Sequence, residues 1–152
     1  MNKLILNDFL PYHLSVTAEV VSRALSKVYT GFGITIPEWR VMVHLSHHGS
    51  LTPSQLGSAT NMDKARVSRA LILMDKKALI TRMVDQHDKR VAHISLTDAG
   101  HSLYGQIEPE VMVWNTRLAA EMADKQHSQL VEALKSVKAW CAQNYQGGDE
   151  EE

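Results

Sequence analysis

The chain has 152 residues, of which 44% are hydrophobic and 22% charged, and its formal net charge is −1. These values fit one globular domain, or one domain with appended helices, with enough apolar side chains to form a core. No apolar run approaches the ~20 residues that cross a bilayer, which argues against a membrane-spanning protein. We expect the first ten residues to belong to the fold, because Asp8 interrupts their apolar pattern and no cleavage site follows. The single cysteine, Cys141, has no disulfide partner within the chain, so we expect a cytoplasmic location.

Charge is unevenly distributed along the chain. Residues 63–93 carry eight basic and four acidic side chains, a local charge of +4, so the remainder carries −5. The basic side chains of this block are Lys64, Arg66, Arg69, Lys76, Lys77, Arg82, Lys89 and Arg90. Such a block is typical of a surface that binds a polyanion, although charge alone fits an ordinary solvated helix face equally well.

Two helices are predicted before this block. Helical periodicity predicts a long first helix from about Pro11 to Tyr29, ended by two glycines. Thr35 and Glu38 form a capping box at the start of a second helix, from Ile36 to about His47. The second helix is apolar nearly all round, so we expect it to be central and buried.

A helix-turn-helix is predicted next. Thr52 and Gln55 form a second capping box, which opens a short helix to about Ala59. A tight turn at 60–62 follows, and Asp63 caps a third helix that reaches about Lys77. A short capped helix, a three-residue turn and a basic helix are the parts of a DNA-binding helix-turn-helix.

The third helix has two distinct faces when its residues are placed ~100° apart. The face predicted to pack inward carries Val67, Ala70, Leu71, Met74 and Ala78. The opposite face carries Ala65, Arg69 and Lys76, with Arg66 and Ser68 at its flanks, while Ile72 and Leu73 lie off the core face. Arginine on the outward face suits guanine, and serine or lysine suits phosphate, so this helix is predicted to enter the major groove.

A β-hairpin is predicted after the third helix, where the apolar period changes from 3.6 to 2. Its strands are Ile80–Val84 and Val91–Leu96, and the polar loop Asp85–Arg90 joins them. Beside a recognition helix, such a loop places Arg90 in the adjacent minor groove, held by a salt bridge to Asp85 or Asp88. The alternative is an ordinary exposed hairpin. The predicted DNA contacts are Lys64, Arg66, Ser68, Arg69, Lys89 and Arg90.

Two more helices complete the chain. Thr97 caps a long helix that extends to about Met122, and a last helix runs from about Lys125 to Tyr145. One stripe of the last helix carries Leu130, Leu134, Val137 and Cys141. Residues 146–152 are predicted to be a disordered acidic tail.

The order of elements and four motifs resemble the MarR family of bacterial regulators over essentially the whole chain. The motifs are Glu38-Trp39-Arg40, the recognition helix Lys64-Ala65-Arg66-Val67-Ser68-Arg69, the loop Asp85-Gln86-His87-Asp88-Lys89-Arg90, and Leu96-Thr97-Asp98-Ala99-Gly100. In this family the loop normally reads Asp-x-Arg-Asp-x-Arg and is followed by Leu-Thr-x-x-Gly. His87 departs from the loop pattern, whereas Asp88 and Arg90 match it.

The resemblance implies a mainly α fold with a small β-hairpin wing, in which long N- and C-terminal dimerisation helices flank a winged helix-turn-helix. Residues 1–34 and 97–145 would form the dimerisation helices, and residues 35–96 the DNA-binding lobe. A homodimer would place two recognition helices ~34–36 Å apart, on the half-sites of a pseudo-palindromic operator in double-stranded DNA. The expected function is sequence-specific regulation of transcription.

The resemblance also implies repression that is relieved by a small ligand, often aromatic or phenolic, or by an oxidant. In this family the ligand lies near the first and second helices and the start of the fifth. The predicted ligand-binding residues there are Tyr12, His13, Arg23, Trp39 and Arg40, with Trp114 as a further candidate. Trp39 fits a core residue equally well, and Arg40 fits a buried residue satisfied by a helix end or by an acid such as Glu38.

Three other functions were weighed. We expect no enzyme, catalytic residue or cofactor, because no nucleophile lies in a Gly-x-Ser-x-Gly turn and no glycine-rich loop cradles a phosphate. A metal-responsive repressor of the same fold is an alternative, since His44, His47 and His48 have zinc-like spacing, although no acidic cluster or cysteine completes a site. A redox switch at Cys141 is another, but cysteine on an apolar stripe is usually an inert packing residue.

Overall fold

The computed structural model describes residues 4–123 and 125–145, which form six α-helices, two short 3-10 helices and three β-strands. The α-helices are α1 (Leu10–Tyr29), α2 (Ile36–His48), α3 (Pro53–Thr60), α4 (Lys64–Lys76), α5 (Asp98–Ala120) and α6 (Gln126–Asn144). The strands are β1 (Ser50–Leu51), β2 (Ile80–Val84) and β3 (Ala92–Leu96). The 3-10 helices are Leu6–Asp8 and Thr30–Phe32. The mainly helical fold with a small β wing is confirmed.

The chain forms two compact units that divide between Met112 and Val113, within α5. The predicted tail 146–152 lies outside the described residues. Within the described residues, no helix is both long and apolar enough to span a membrane.

Side-chain caps fix the starts of α2 and α3, as predicted. The Thr35 side chain accepts the Glu38 N–H, and Glu38 in turn accepts the Thr35 N–H at 2.9 Å. Thr52 and Gln55 form the same reciprocal pair, with N–H to oxygen distances of 2.9 and 3.2 Å. Each box satisfies two backbone donors that a helix start leaves without a partner, which is why both helices begin where the sequence predicts.

The core of the first unit is built around α2, which was predicted to be central. Val41, Met42 and Leu45 are fully buried. Around them lie the inner faces of the neighbouring elements: Leu56 of α3, Val67, Ala70, Leu71 and Met74 of α4, Ile80 of β2, Ile94 and Leu96 of β3, and Ile107 of α5. Burial of these apolar side chains is the main stabilising force of this unit and holds the helix-turn-helix against α2.

The three strands form one antiparallel sheet in the order β1-β3-β2. In the hairpin, Ile80 pairs with Leu96 and Val84 with Ala92. The strand β1, which pairs Ser50 with Ser95, was not predicted, because two residues are too few to show a period of two. The hairpin therefore has a third strand on the β3 side, which leaves β2 at the edge of the sheet.

The predicted inward position of Ala78 is wrong. Ala78 is exposed and adopts a left-handed backbone conformation with φ of 56°, and its N–H donates to the Asp75 carbonyl at 2.9 Å. The helical period was extended too far, because α4 ends at Lys76 and the chain turns at Ala78. Leu79 and Ile80 fill the core positions that follow.

Candidate nucleic-acid interface

The turn between α3 and α4 is held by short-range contacts. Asn61 ends α3 in the left-handed conformation, with φ of 53°, and the Met62 N–H donates to the Gly57 carbonyl at 3.1 Å. A Cβ on Gly57 would come within 3.2 Å of the Met62 carbonyl oxygen, so the turn favours glycine there. The Asp63 side chain then accepts the Arg66 N–H at 2.7 Å and starts α4. These contacts fix the angle at which α4 leaves α3.

The outward face of α4 matches its prediction. Lys64, Ala65, Arg66, Ser68 and Arg69 are all exposed. Within the described residues, no ion pair involves the three basic side chains of this group. Ile72 and Leu73, which were predicted to lie off the core face, are 48% and 40% exposed. The first two turns of α4 therefore present three exposed basic side chains that form no ion pair with any described residue.

Lys77 is the basic residue that does not belong to this outward surface. Its ammonium donates to the Glu38 carboxylate and to the Gly33 carbonyl, both at 2.6 Å. Glu38 is completely buried, so its carboxylate needs this counter-charge. The sequence alone groups Lys77 with the basic block, because a partner 39 residues away leaves no local signal.

The wing loop is organised by Asp85. Its Oδ1 accepts the N–H groups of His87 at 2.8 Å and Asp88 at 3.0 Å, and its Oδ2 lies 3.1 Å from His93 Nε2. These hydrogen bonds, above all that from the Asp88 N–H, lower the pKa of Asp85. The Asp85 N–H also donates to the Val91 carbonyl at 2.9 Å, which closes the loop.

The predicted salt bridge from Arg90 to Asp85 or Asp88 is wrong. Asp88 Oδ1 instead accepts the backbone N–H of Arg90 at 2.9 Å, and Asp85 is occupied by the contacts above. Within the described residues, Arg90 makes no ion pair. Lys89 and Arg90 are both exposed at the end of the loop. The two acidic residues shape the loop backbone and leave the arginine side chain available to a ligand.

The segment Leu96–Gly100 joins the wing to α5 and contacts the end of the recognition helix. Thr97 Oγ1 donates to the Ala78 carbonyl at 2.7 Å and accepts the Gly100 N–H at 3.1 Å. The Thr97 N–H donates to the Leu79 carbonyl at 3.1 Å. A Cβ on Gly100 would overlap that same carbonyl oxygen. Threonine and glycine at these two positions thus allow α5 to begin directly against the turn after α4.

Comparison with known proteins agrees with this geometry. A family model described as the MarR family matches residues 32–91. The transcriptional regulator PecS of Dickeya dadantii is 22% identical over 134 residues, which cover 86% of this chain and 81% of PecS. The solved structure of a MarR family regulator from Silicibacter pomeroyi DSS-3 is 26% identical, has a TM-score of 0.78, and is matched over 90% of this chain and 98% of that chain.

The chain resembles the MarR family, whose model covers 60 of its 152 residues, from just before α2 to the end of the wing loop. It is a DNA-binding transcriptional regulator of the winged-helix type. Another solved structure of the same fold is NadR in complex with 4-hydroxyphenylacetate, which is 20% identical with a TM-score of 0.75. That match covers 90% of this chain and 97% of the NadR chain.

Trp39 is a core residue. Its indole is 7% exposed and stacks with the rings of Tyr29 and Tyr104, at centroid distances of 5.3 and 5.7 Å. Burial raises the pKa of Tyr29, and the nearby Arg40 guanidinium partly opposes that shift. Arg40 donates to Ser22 Oγ at 3.4 Å, so the suggested pairing of Arg40 with Glu38 is wrong. Arg40 is only partly buried and is the polar group beside this aromatic cluster.

The other predicted ligand residues lie along α1. His13 Nε2 lies 2.7 Å from the Asn7 carbonyl oxygen, and its ring meets Tyr12 edge-on at 5.6 Å. Arg23 pairs with Glu19 at 3.5 Å and is exposed. About ten residues of helix, roughly 15 Å, separate Tyr12 from the part of α1 that contacts Arg40. Trp114 belongs to the second unit.

The histidines of α2 lie close to one another. The rings of His44 and His48 are parallel at 6.0 Å, and His47 meets His48 edge-on at 5.4 Å. Within residues 4–123 and 125–145, no group of three or more histidine, cysteine or acidic side chains is arranged to hold a metal ion. Cys141, predicted to be a packing residue, is exposed on α6.

Proposed function

We propose that this MarR-family regulator is a repressor that binds a pseudo-palindromic operator as a homodimer and is released by an aromatic acid or phenol. The observation that carries the proposal is the exposed positive charge on the first turns of α4 and at the end of the wing loop, which forms no ion pair within the described residues. One positively charged surface lies on a helix and the other on a hairpin. In a winged helix-turn-helix, the helix can enter the major groove of DNA while the hairpin reaches the adjacent minor groove.

Each predicted DNA contact has a role suited to its chemistry. Arg66 and Arg69 contact base edges of the major groove, since a guanidinium donates two parallel hydrogen bonds to guanine. Arg90 enters the minor groove, where narrowing concentrates negative potential. Lys64, Ser68 and Lys89 contact phosphates and fix the register of the protein on the duplex. The lobe that makes these contacts spans residues 35–96.

Dimerisation follows from the apolar surface outside this lobe. The terminal regions expose Leu4, Ile5, Leu6, Phe9, Leu10, Tyr12, Val16, Val20, Met112, Val113, Leu118, Leu130, Leu134, Trp140 and Tyr145. No residue of α6, all of which is described, is buried. So much exposed apolar surface is unusual for a monomer and typical of an interface. We assign residues 1–34 and 97–145 to that interface.

The effector proposal is supported by NadR, whose solved complex contains a phenolic acid. In this chain, Arg40 offers a cationic group beside the Tyr29 and Trp39 rings, while Tyr12, His13 and Arg23 offer exposed polar groups on α1. A ligand releases DNA only if it binds better to the arrangement of recognition helices that does not fit the operator. A ten-fold loss of operator affinity needs a differential binding energy of only ~1.4 kcal/mol.

Selection from a random DNA library tests the core of the proposal. We expect enrichment of a site with two-fold symmetry, bound by one dimer as measured by light scattering. Deleting the chain from Lys125 onward should remove dimerisation and operator binding together. A DNA-competent monomer, or failure to enrich any sequence, would contradict the proposal.

A screen of aromatic acids and phenols, including 4-hydroxyphenylacetate, tests the effector. A hit should raise the thermal midpoint of the protein and release the selected operator. Arg40→Ala and His13→Ala should weaken that binding, with the surface variant Lys27→Ala as a control. If both variants bind the hits as tightly as wild type does, Arg40 and His13 are not part of the ligand site.

A further inference from the structure

The geometry points to Lys77 as a positioning residue, which sets the orientation of the recognition helix and thereby the half-site spacing that the dimer accepts. The inference rests on the proposed dimeric binding of an operator. Lys77 is assigned no DNA contact, since its ammonium is bound to the Glu38 carboxylate and the Gly33 carbonyl.

The contacts of Lys77 connect segments that are distant in the sequence. Its Nζ lies 2.6 Å from Glu38 Oε1 and 2.6 Å from the Gly33 carbonyl oxygen, across 39 and 44 residues. The other oxygen of Glu38 accepts both the N–H and the hydroxyl of Thr35, at 2.9 and 2.7 Å. One buried carboxylate therefore joins the end of α4 to the start of α2.

The position of Gly33 extends this connection toward α1. Gly33 ends the 3-10 helix Thr30–Phe32, which directly follows α1, and it has φ of 74°. Lys77 thus binds the peptide that lies between the first helix and the DNA-binding lobe. A displacement of this peptide relative to α4 requires the Lys77 contacts to lengthen or break.

The remaining contacts of α4 with the core are mainly apolar. Val67, Ala70, Leu71 and Met74 form its buried face. Apolar burial is non-directional and holds the helix against α2 without fixing its rotation tightly. Charge-assisted hydrogen bonds depend on distance and angle. The ion pair therefore adds a directional contact at the C-terminal end of α4, while the Asp63 cap and the turn after α3 fix its other end.

Lys76 provides a matched control, because it carries the same charge one residue earlier. It is exposed, and within the described residues it has no ion pair. Lys76→Met and Lys77→Met remove the same charge from the same turn. Only the second removes the contacts with Glu38 and Gly33.

The test measures the affinity of the full-length dimer for the selected operator and for versions whose half-sites are one base pair closer or farther apart. Lys77→Met should weaken binding to the selected spacing by roughly 2- to 30-fold and reduce the preference among the three spacings. The dependence of affinity on salt should keep its wild-type slope, since no phosphate contact is lost. Lys76→Met should retain the spacing preference, and Lys77→Arg should restore most of it.

A second variant keeps the test valid if Lys77→Met does not fold. Lys77→Met leaves a buried carboxylate without its counter-charge, so the double variant Glu38→Gln with Lys77→Met is tested beside it. Glutamine keeps the capping box of α2 and removes the second charge. A folded variant of either kind with unchanged spacing preference would overturn the role of Lys77. If wild type itself shows no spacing preference, the dimeric operator proposal fails, and the inference about Lys77 fails with it.

Discussion

Gly100 occupies a position where any side chain would collide with the backbone, because an added Cβ overlaps the Leu79 carbonyl oxygen. Leu79 is buried in the core, so its carbonyl cannot retreat without disturbing the packing beneath it. Gly100→Ala should therefore destabilise the protein by about 1–3 kcal/mol in urea unfolding. Gly105, also in α5, has no atom within 4 Å of an added Cβ. Gly105→Ala should stabilise by about 0.5–1 kcal/mol, and equal effects at both positions would contradict this explanation.

Ala78 presents the opposite case, a residue with a side chain where glycine would be favoured. Its left-handed conformation costs a non-glycine residue roughly 1–2 kcal/mol, and its exposure means that little packing is lost on substitution. Glycine would relieve this strain, but it also makes the unfolded chain more flexible, which lowers the free energy of unfolding by roughly 0.4–1 kcal/mol. We expect Ala78→Gly to stabilise by up to about 1 kcal/mol in thermal or urea unfolding. Ala65→Gly, at an exposed helical position of α4, should destabilise by a similar amount.

The wing is the element whose order depends on one carboxylate. The lowered pKa of Asp85 means that its ionised form stabilises the folded loop. This stabilisation is complete above the pKa of an unfolded aspartate, about 3.9, and is lost as the pH falls through the lower folded value. The protection factors of the His87 and Asp88 amides in hydrogen exchange should therefore fall in acid, by more than those of core amides.

Two substitutions separate the charge of Asp85 from its hydrogen bonds. Asp85→Ala should remove amide protection at every pH and weaken operator binding while the core melts normally. Asp85→Asn keeps a neutral acceptor for both amides, so their protection should become insensitive to acid. Acid sensitivity that persists in Asp85→Asn would assign the effect to another group of the wing.

Element boundaries show which parts of the fold could be predicted from the sequence. The starts of α2, α3 and α4 were predicted correctly, because their caps use side chains within three residues of the helix start. The strand β1 was missed, because two residues show no period and its partner Ser95 lies far along the chain. The turn at Ala78 was missed, because alanine is not a residue typical of a left-handed turn. The helical period predicts which face of α4 is exposed. It does not predict that Lys77 pairs with Glu38, because that partner lies 39 residues away in the sequence.

At the scale of the whole molecule, the sign and placement of charge decide how the protein binds DNA. Arg69→Ala and Arg90→Ala should each weaken operator binding by roughly 1–3 kcal/mol. If the lost group contacts a phosphate, the slope of log affinity against log salt concentration should also decrease in magnitude by about 0.9. Lys27→Ala removes one charge from α1, away from the proposed DNA contacts, and should leave both quantities unchanged in a variant that light scattering shows to be a dimer. Gel-shift titrations at several salt concentrations measure them, and equal losses in all three variants would indicate only a general effect of net charge.

The Glu38 carboxylate serves two neighbours at once, with one oxygen for the Thr35 cap and the other for Lys77. Because Glu38 contacts both neighbours, the order in which positions 38 and 77 are substituted affects the stability of the intermediate protein. We expect a change of Lys77 to an apolar residue to destabilise the fold while residue 38 is charged, and to destabilise it less once residue 38 is glutamine. The effects of the two substitutions are therefore not additive, as expected for residues in direct contact. Evolutionary paths that lose this ion pair should change position 38 first and position 77 second.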